Sequence, residues 1–265
     1  MCLIAVAWRA HPRYELALIA NRDEFHARPT AAAGVDPGAS DVYGGRDLQA
    51  GGSWLQVSTQ DRLAAVTNVR TGRDVRAPRS RGALVRDFVR DGNGDAHGYV
   101  AAQVASGEAF APFNLLAWDG GSLVFGSNHP RATQGVAPGV HAMSNGAFDA
   151  PWPKSSHATS ALSDWLASPA SHGVPDVVAL APLFAALADS APAPDACLPD
   201  TGVGIELERL LSPPFVRGRE YGTRCSSIVL VAAETITFVE RRYAPDASID
   251  GESAAVLARM PSGNA

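Results

Sequence analysis

Cys2-Leu3-Ile4-Ala5-Val6-Ala7-Trp8 and Glu15-Leu16-Ala17-Leu18-Ile19-Ala20 are two short apolar runs separated by His11-Pro12-Arg13-Tyr14, and the polar tetrapeptide Asn21-Arg22-Asp23-Glu24 follows at once. Apolar runs of this length, bounded by turn residues, read as strands, and their closeness predicts a β-hairpin. A hairpin sets the first residue of one strand beside the last residues of the other. Cys2 and the residues just past Ala20 are therefore expected at the same end of it.

Working outward, the same pattern recurs. A glycine-rich stretch from Gly44 to Gly52 leads into Ser53-Trp54-Leu55-Gln56-Val57 and Leu63-Ala64-Ala65-Val66-Thr67, a second strand pair. Leu84, Val85, Phe88 and Val89 recur at helical spacing between Ser80 and Arg90, and residues 99–105 continue in helical style. Phe113 to Trp118, the turn Asp119-Gly120-Gly121 and Leu123-Val124-Phe125 form the most legible hairpin, and a short strand follows near Val140 to Ser144. Helical patterns return at 155–167 and 176–188. Beyond the Pro- and Ala-rich segment Asp189 to Pro199, the runs Ile228 to Val231 and Ile236 to Val239 make a closing hairpin, and a mobile tail is expected after Ala247. Strand pairs alternating with pairs of helices predict an α/β fold of four layers, two mostly antiparallel sheets covered outside by helices, rather than a parallel sheet. No repeat or long linker divides the chain, so a single domain spanning 1–265 is expected.

Composition excludes several function classes. A chain of 265 residues with 46% hydrophobic and 18% charged side chains is long enough to bury a sizeable core. A net charge of −5 and a pI near 5.8 argue against a nucleic-acid partner, which calls for a basic stripe. No apolar run approaches the ~20 residues of a membrane-spanning helix, and the first strand lacks the basic leader of a signal peptide, so a cytoplasmic protein that is not integral to a membrane is expected. Three cysteines, Cys2, Cys197 and Cys225, match neither a disulfide framework nor a metal site. P-loop, H-E-x-x-H, G-x-S-x-G and C-x-x-C motifs are absent.

What remains is chemistry at the hairpin end. If Met1 is trimmed, the chain begins with a cysteine whose thiol and α-amine form nucleophile and base in one residue, since an α-amine titrates near ~8. The plain alternative is a small apolar strand residue. Asn21 to Glu24 read either as a solvated strand end or as the groups that tune and orient the nucleophile. Lys154 is the single lysine among 22 basic residues, which marks it as a place where an ammonium is needed or as a product of arginine bias.

Cys2-Leu3-Ile4, Asn21-Arg22-Asp23-Glu24, Gly44-Gly45-Arg46-Asp47, Gly52-Ser53-Trp54-Leu55, Thr67-Asn68-Val69-Arg70, Ser144-Asn145 and Pro151-Trp152-Pro153-Lys154, with Leu198 to Gly204 and Tyr221-Gly222-Thr223-Arg224, resemble the NRDE family, whose eukaryotic members are called transport and Golgi organisation protein 2. The likeness runs from Cys2 to about Arg241. Gly146 departs from it, standing where alanine is expected. The family in turn resembles the N-terminal-nucleophile hydrolases, an αββα sandwich, and most of all the bile-salt hydrolase and penicillin V acylase group.

That resemblance implies Cys2 as nucleophile, Asn145 as an oxyanion-hole donor and Arg224 as a site arginine, with either Arg22 and Asp23 or Asn21 and Glu24 nearest the thiol. Asn68 is a further candidate donor. The implied activity is Cys2-dependent hydrolysis of an N-acyl amide, with no cofactor and no metal required. The alternative is a carrier of haem or acyl-coenzyme A in the same pocket. Haem as cargo would draw an axial ligand from His26, His129, His157 or Cys2, and Arg22, Arg70, Arg224 and Lys154, near Trp152, would hold propionates or phosphates. An arginine beside Cys2, from Arg22 or Arg224, is expected to lower its thiol pKa.

Overall fold

A computed structural model describes residues 2–72, 75–91 and 94–260; Met1, expected to be trimmed, lies outside them, as do residues 261–265. The strands are β1 (Cys2–Trp8), β2 (Leu16–Phe25), β3 (Thr30–Asp36), β4 (Ala39–Asp47), β5 (Leu55–Ser58), β6 (Arg62–Asn68), β7 (Phe113–Trp118), β8 (Leu123–Asn128), β9 (Arg131–Gly135), β10 (Gly139–Met143), β11 (Tyr221–Val231), β12 (Thr235–Tyr243) and β13 (Ile249–Ala258). The helices are α1 (Gly82–Asp91), α2 (Ala96–Ala105), α3 (Pro153–Ala167), α4 (Val177–Leu187) and α5 (Ile205–Leu210). One antiparallel sheet runs β10-β1-β2-β11-β12-β13, and the other is a meander in chain order from β3 to β9.

The alternation of side chains along β1 assembles the layers. Ile4, Val6 and Trp8 pack between the two sheets against Leu55, Leu63, Leu116 and Trp118. Leu3, Ala5 and Ala7 point the other way, onto Leu162, Trp165, Leu183 and Phe184 of α3 and α4. Because both faces are covered, β1 reads as one continuous apolar run. Leu84, Val85 and Phe88 of α1 and Val100 of α2 cover the outer face of the meander. The four-layer αββα architecture read from the sequence is the one observed.

Three differences matter. β2 does not end at Ala20 but continues to Phe25, because β11 pairs with it as far as Tyr221; Asn21, Arg22 and Asp23 are buried inside a sheet rather than at a solvated strand end. The glycine-rich lead-in is itself a strand, β4, paired with β3. Most of the segment expected as a mobile tail is the edge strand β13, in register with β12 from Thr235↔Ala258 to Arg242↔Gly251.

The glycine-rich motifs join the meander to α1. A Cβ on Gly45 would lie 2.2 Å from the Trp54 ring, and one on Gly52 would lie 2.3 Å from the Gly82 carbonyl carbon. Ser53 N–H donates to the Gly82 carbonyl at 3.0 Å, and its hydroxyl donates to the Gly45 carbonyl at 2.7 Å. Backbone therefore meets backbone at the start of α1, with Ser80 and Arg81 just before it. Gly52→Ala has no flexible neighbour to displace, so it is expected to destabilise the fold by about 2 kcal/mol. Urea unfolding of the variant checks this, and an unchanged midpoint would show that the junction yields.

Candidate active site

Cys2 pairs with Arg22 across the β1–β2 ladder. Its side chain is on the face turned toward the meander, at the wall of a cleft of about 500 Å³. Arg22, Asp23 and Glu24 come to this cleft from β2, Ser53 and Trp54 from the β4–β5 connection, Asn68 from the end of β6, and Ser80 and Arg81 from the approach to α1. Asn68 and Arg81 also line an adjoining cleft of about 500 Å³ that reaches Arg70, Gly202 and Leu207.

The register settles which members of the tetrapeptide stand nearest the thiol. Arg22 lies opposite Cys2, stacks 4.2 Å above the Trp54 ring and donates to Thr30 Oγ1 at 3.3 Å. The Asp23 backbone N–H donates to the Cys2 sulfur, and the Asp23 carboxylate accepts from Thr223 Oγ1 at 2.7 Å. Asn21 points to the opposite face, where its amide donates to the Leu187 and Pro214 carbonyls at 2.7 and 2.8 Å and its oxygen accepts from Ser226. It is a brace between the sheet and the chain around α4. Glu24 sits at the cleft rim, 4.0 Å from Arg22 and 3.8 Å from Arg28.

The electrostatics of the site are dominated by burial. Burial raises the Cys2 thiol pKa above its ordinary value and the Asp23 charge adds to this; the chain's terminal amine most opposes it, and Arg22 opposes it less, without reversing it. The expected depression of the thiol pKa is thus corrected: withdrawal from water outweighs one guanidinium that is itself shared with Trp54 and Thr30. Burial likewise raises the Asp23 carboxyl, with Lys154 and Arg70 pulling it back. Lys154, fully enclosed at the first turn of α3, is pushed down to about 8 by burial, and Asp23 is the charge that most holds it up.

The remaining sequence candidates fall in three places. Lys154 donates to Asn145 Oδ1 at 3.3 Å and the Leu211 carbonyl at 3.2 Å. Asn145, fully buried, donates to the Asn68 carbonyl at 2.9 Å; it forms the wall behind Asn68, and Asn68 is the asparagine that lines the cleft. Arg70 forms a buried ion pair with Glu208 and lies 5.5 Å from the Trp152 ring. The Trp152 ring also covers Gly146, where a Cβ would come within 2.4 Å of it, which accounts for glycine in place of alanine. Trp152 and Lys154 therefore make a packed support, and Arg70 links it to the adjoining cleft.

Arg224 does not reach Cys2. The β2–β11 register slips between Thr223 and Cys225, and this irregularity turns Arg224 toward the Phe25 and Arg28 carbonyls, at 2.9 and 3.2 Å. The histidines also bond elsewhere. His26 meets the Gly218 carbonyl at 3.1 Å, His157 on an exposed face meets the Ala186 carbonyl at 3.2 Å, and His129 is exposed on the β8–β9 turn. None of the three lines the cleft of Cys2. Among the described residues no group of three His, Cys, Asp or Glu side chains is arranged to hold a metal ion. No helix there is long and apolar enough to cross a membrane.

Sequence reasoning missed Arg81 and Trp54 as site residues. Arg81 is held by a bond to the Pro112 carbonyl at 3.1 Å; burial lowers its pKa, and the charges of Cys2 and Glu24 act against that. Its only local signal was the Pro78-Arg79-Ser80 approach to a helix, which carries no hint of Cys2 on another sheet.

The chain is an αββα sandwich whose first strand carries a cysteine to the wall of a cleft. The chain belongs to the transport and Golgi organisation 2 family, whose model matches residues 1–245. It is 32% identical over 262 residues to the transport and Golgi organization protein 2 homolog of Bos taurus, covering 91% of this chain and 92% of that one. The Homo sapiens homolog is 32% identical over 259 residues, with the same coverage. Among solved structures, a Caenorhabditis elegans N-acylethanolamine-hydrolyzing acid amidase ortholog is similar with a TM-score of 0.46 at 11% identity, over 86% of this chain and 92% of that one. The C2A mutant of a conjugated bile acid hydrolase from Clostridium perfringens is similar with a TM-score of 0.46 at 10% identity, over 98% and 97%.

Proposed function

We propose that this chain is a Cys2-dependent amidohydrolase that cleaves the C–N bond of a small N-acyl amide. The observation that carries the reading is the convergence on one cleft of Cys2, its opposite neighbour Arg22, Asp23, whose backbone N–H meets the Cys2 sulfur, and Asn68. The carrier alternative finds less support, because none of His26, His129 and His157 lines that cleft.

The chemistry follows from these groups. Once Met1 is removed, the α-amine of Cys2 takes the thiol proton as the sulfur attacks the acyl carbon. A raised thiol pKa suits this sequence, since the thiol keeps its proton until the amine accepts it during attack. Asn68 and a backbone N–H stabilise the oxyanion. The ammonium then returns the proton to the leaving amine as the C–N bond breaks, giving a thioester on Cys2 and a free amine. Water, deprotonated by the same α-amine, attacks the thioester and releases the carboxylic acid. Asp23, buried and opposed by Lys154, orients the ammonium, and Arg81 on the facing wall favours an acyl compound that carries an anionic group.

Untagged protein is expected to lack Met1 by intact mass, to release amine from one or more members of an N-acyl amide panel, and to show a transient mass increase on Cys2 equal to the acyl group. Quantitative retention of Met1, or stoichiometric binding of haem or acyl-coenzyme A with no turnover across the panel, would overturn the reading.

A further inference from the structure

A second cavity lies on the far side of Arg22. Arg22 pairs with Cys2 on β1 and with Cys225 on β11; Cys225 pairs with Arg242 on β12, and Arg242 with Gly251 on β13. These residues form one row across five strands, with neighbouring strands ~4.8 Å apart. Cys2 is at one end of the row. At the other, between the sheets, Arg22, Trp54, Arg224, Glu240, Arg242 and Asp250 line a cavity of about 240 Å³. The Arg22 guanidinium on the Trp54 ring is the partition between this cavity and the cleft of Cys2.

The cavity is built and chemically two-sided. Glu240 is 1% exposed and burial raises its carboxyl pKa; its Oε1 accepts the Ala33 backbone N–H at 2.8 Å and lies 3.5 Å from Arg242 Nη1, the Cys225 thiol hydrogen-bonds to the carboxylate, and Oε2 has no nitrogen or oxygen partner. A carboxylate oxygen left so is costly unless something donates to it. Arg242 is seated over Gly251, where a Cβ would lie 2.6 Å from its Nη2. An anion alone would leave Glu240 Oε2 unmet, and a cation alone would face three guanidiniums. A molecule with both charges matches the lining. Asp250 comes from the start of β13, beyond residues 1–245 that the family model matches.

We propose that this cavity is a binding site for a small zwitterionic amino acid, its carboxylate held by Arg22 and Arg224 and its ammonium by Glu240 Oε2 and Asp250. The site shares Arg22 and Trp54 with the cleft of Cys2 but makes no use of the Cys2 thiol.

Calorimetric titration of the full-length protein with free amino acids, and with the matched amines and matched carboxylic acids, tests the proposal. At least one amino acid is expected to bind saturably, and its amine and carboxylic acid counterparts at least tenfold more weakly. Glu240→Gln, which keeps size and shape, and Ala31→Leu, which fills the cavity from the sheet edge, are each expected to raise Kd at least tenfold, while Cys2→Ala leaves it unchanged. Absence of saturable binding, equal binding by the carboxylic acid alone, or loss of binding in Cys2→Ala with none in Glu240→Gln and Ala31→Leu would overturn it.

Discussion

Cys2→Ala is expected to reduce amide hydrolysis by roughly 10⁴-fold or more, Asn68→Ala by about 10² to 10³, and Asn145→Ala to act mainly on stability. The three effects separate because the residues occupy different depths. Cys2 reaches the cleft and carries the attacking sulfur, so its loss removes the covalent route while disturbing little packing. Asn68 also lines the cleft, half-buried at the end of β6, and can donate to an oxyanion. Asn145 is the asparagine that family resemblance points to, yet it is enclosed and already bonded to the Asn68 carbonyl, with Lys154 donating to its oxygen. Removing it leaves two buried partners unmet, at a cost of about 3 kcal/mol. Initial rates on the best N-acyl substrate, beside thermal unfolding of each variant, test the division. Stable Asn145→Ala protein with a 10³-fold rate loss would return the oxyanion role to Asn145, and undiminished turnover by Cys2→Ala would end the nucleophile assignment.

Much of this architecture was legible in the sequence where both faces of a strand are covered. β1 is apolar throughout, and β7 and β11 carry the apolar runs Leu115 to Trp118 and Ile228 to Val231, because each packs between a second sheet and a helical layer; α1 shows its buried stripe of Leu84, Val85, Phe88 and Val89. The strands that escaped notice are those whose order comes from pairing rather than from their own side chains. β3 is Thr-Ala-Ala-Ala-Gly-Val-Asp, β9 is Arg-Ala-Thr-Gln-Gly, and β13 alternates exposed with half-buried residues at a sheet edge. Their residues have modest strand propensity, and only the ladder to a neighbour fixes them.

The site shows the same division. That Cys2 and the tetrapeptide meet follows from one short hairpin, and the sequence carried it. Which tetrapeptide residues face the thiol depends on β2 running on past Ala20, a consequence of β11 that lies 200 residues away in the chain. Arg224 was misplaced because a one-residue irregularity in that same pairing is invisible in Thr-Arg-Cys.

Lys154→Met is expected to destabilise the protein by about 3 kcal/mol at pH 7, and by more as the pH rises toward 9. The ammonium is fully buried, donates to Asn145 Oδ1 and the Leu211 carbonyl, and is, after the chain's terminal amine, the charge that most compensates the buried Asp23 carboxylate, so its removal breaks a buried charge relationship. The pH dependence follows from proton linkage. Burial lowers the Lys154 pKa from 10.5 to about 8 in the folded chain. Below pH 8 both states hold the proton and this group contributes no slope. Between pH 8 and 10.5 the unfolded chain binds more protons than the folded one, so stability from this group increases with pH, at up to about 1.4 kcal/mol per unit. The buried Cys225 thiol acts in the opposite sense once unfolded thiols ionise near pH 9, because burial raises its pKa well above that value. Both proteins share that loss, and it cancels in their difference. Urea unfolding of wild type and Lys154→Met at pH 7, 8 and 9 measures the effect. A difference that stays flat across that interval would mean that Lys154 keeps an ordinary pKa, and that the single lysine of this chain is not the buried ammonium that balances Asp23 beside Cys2.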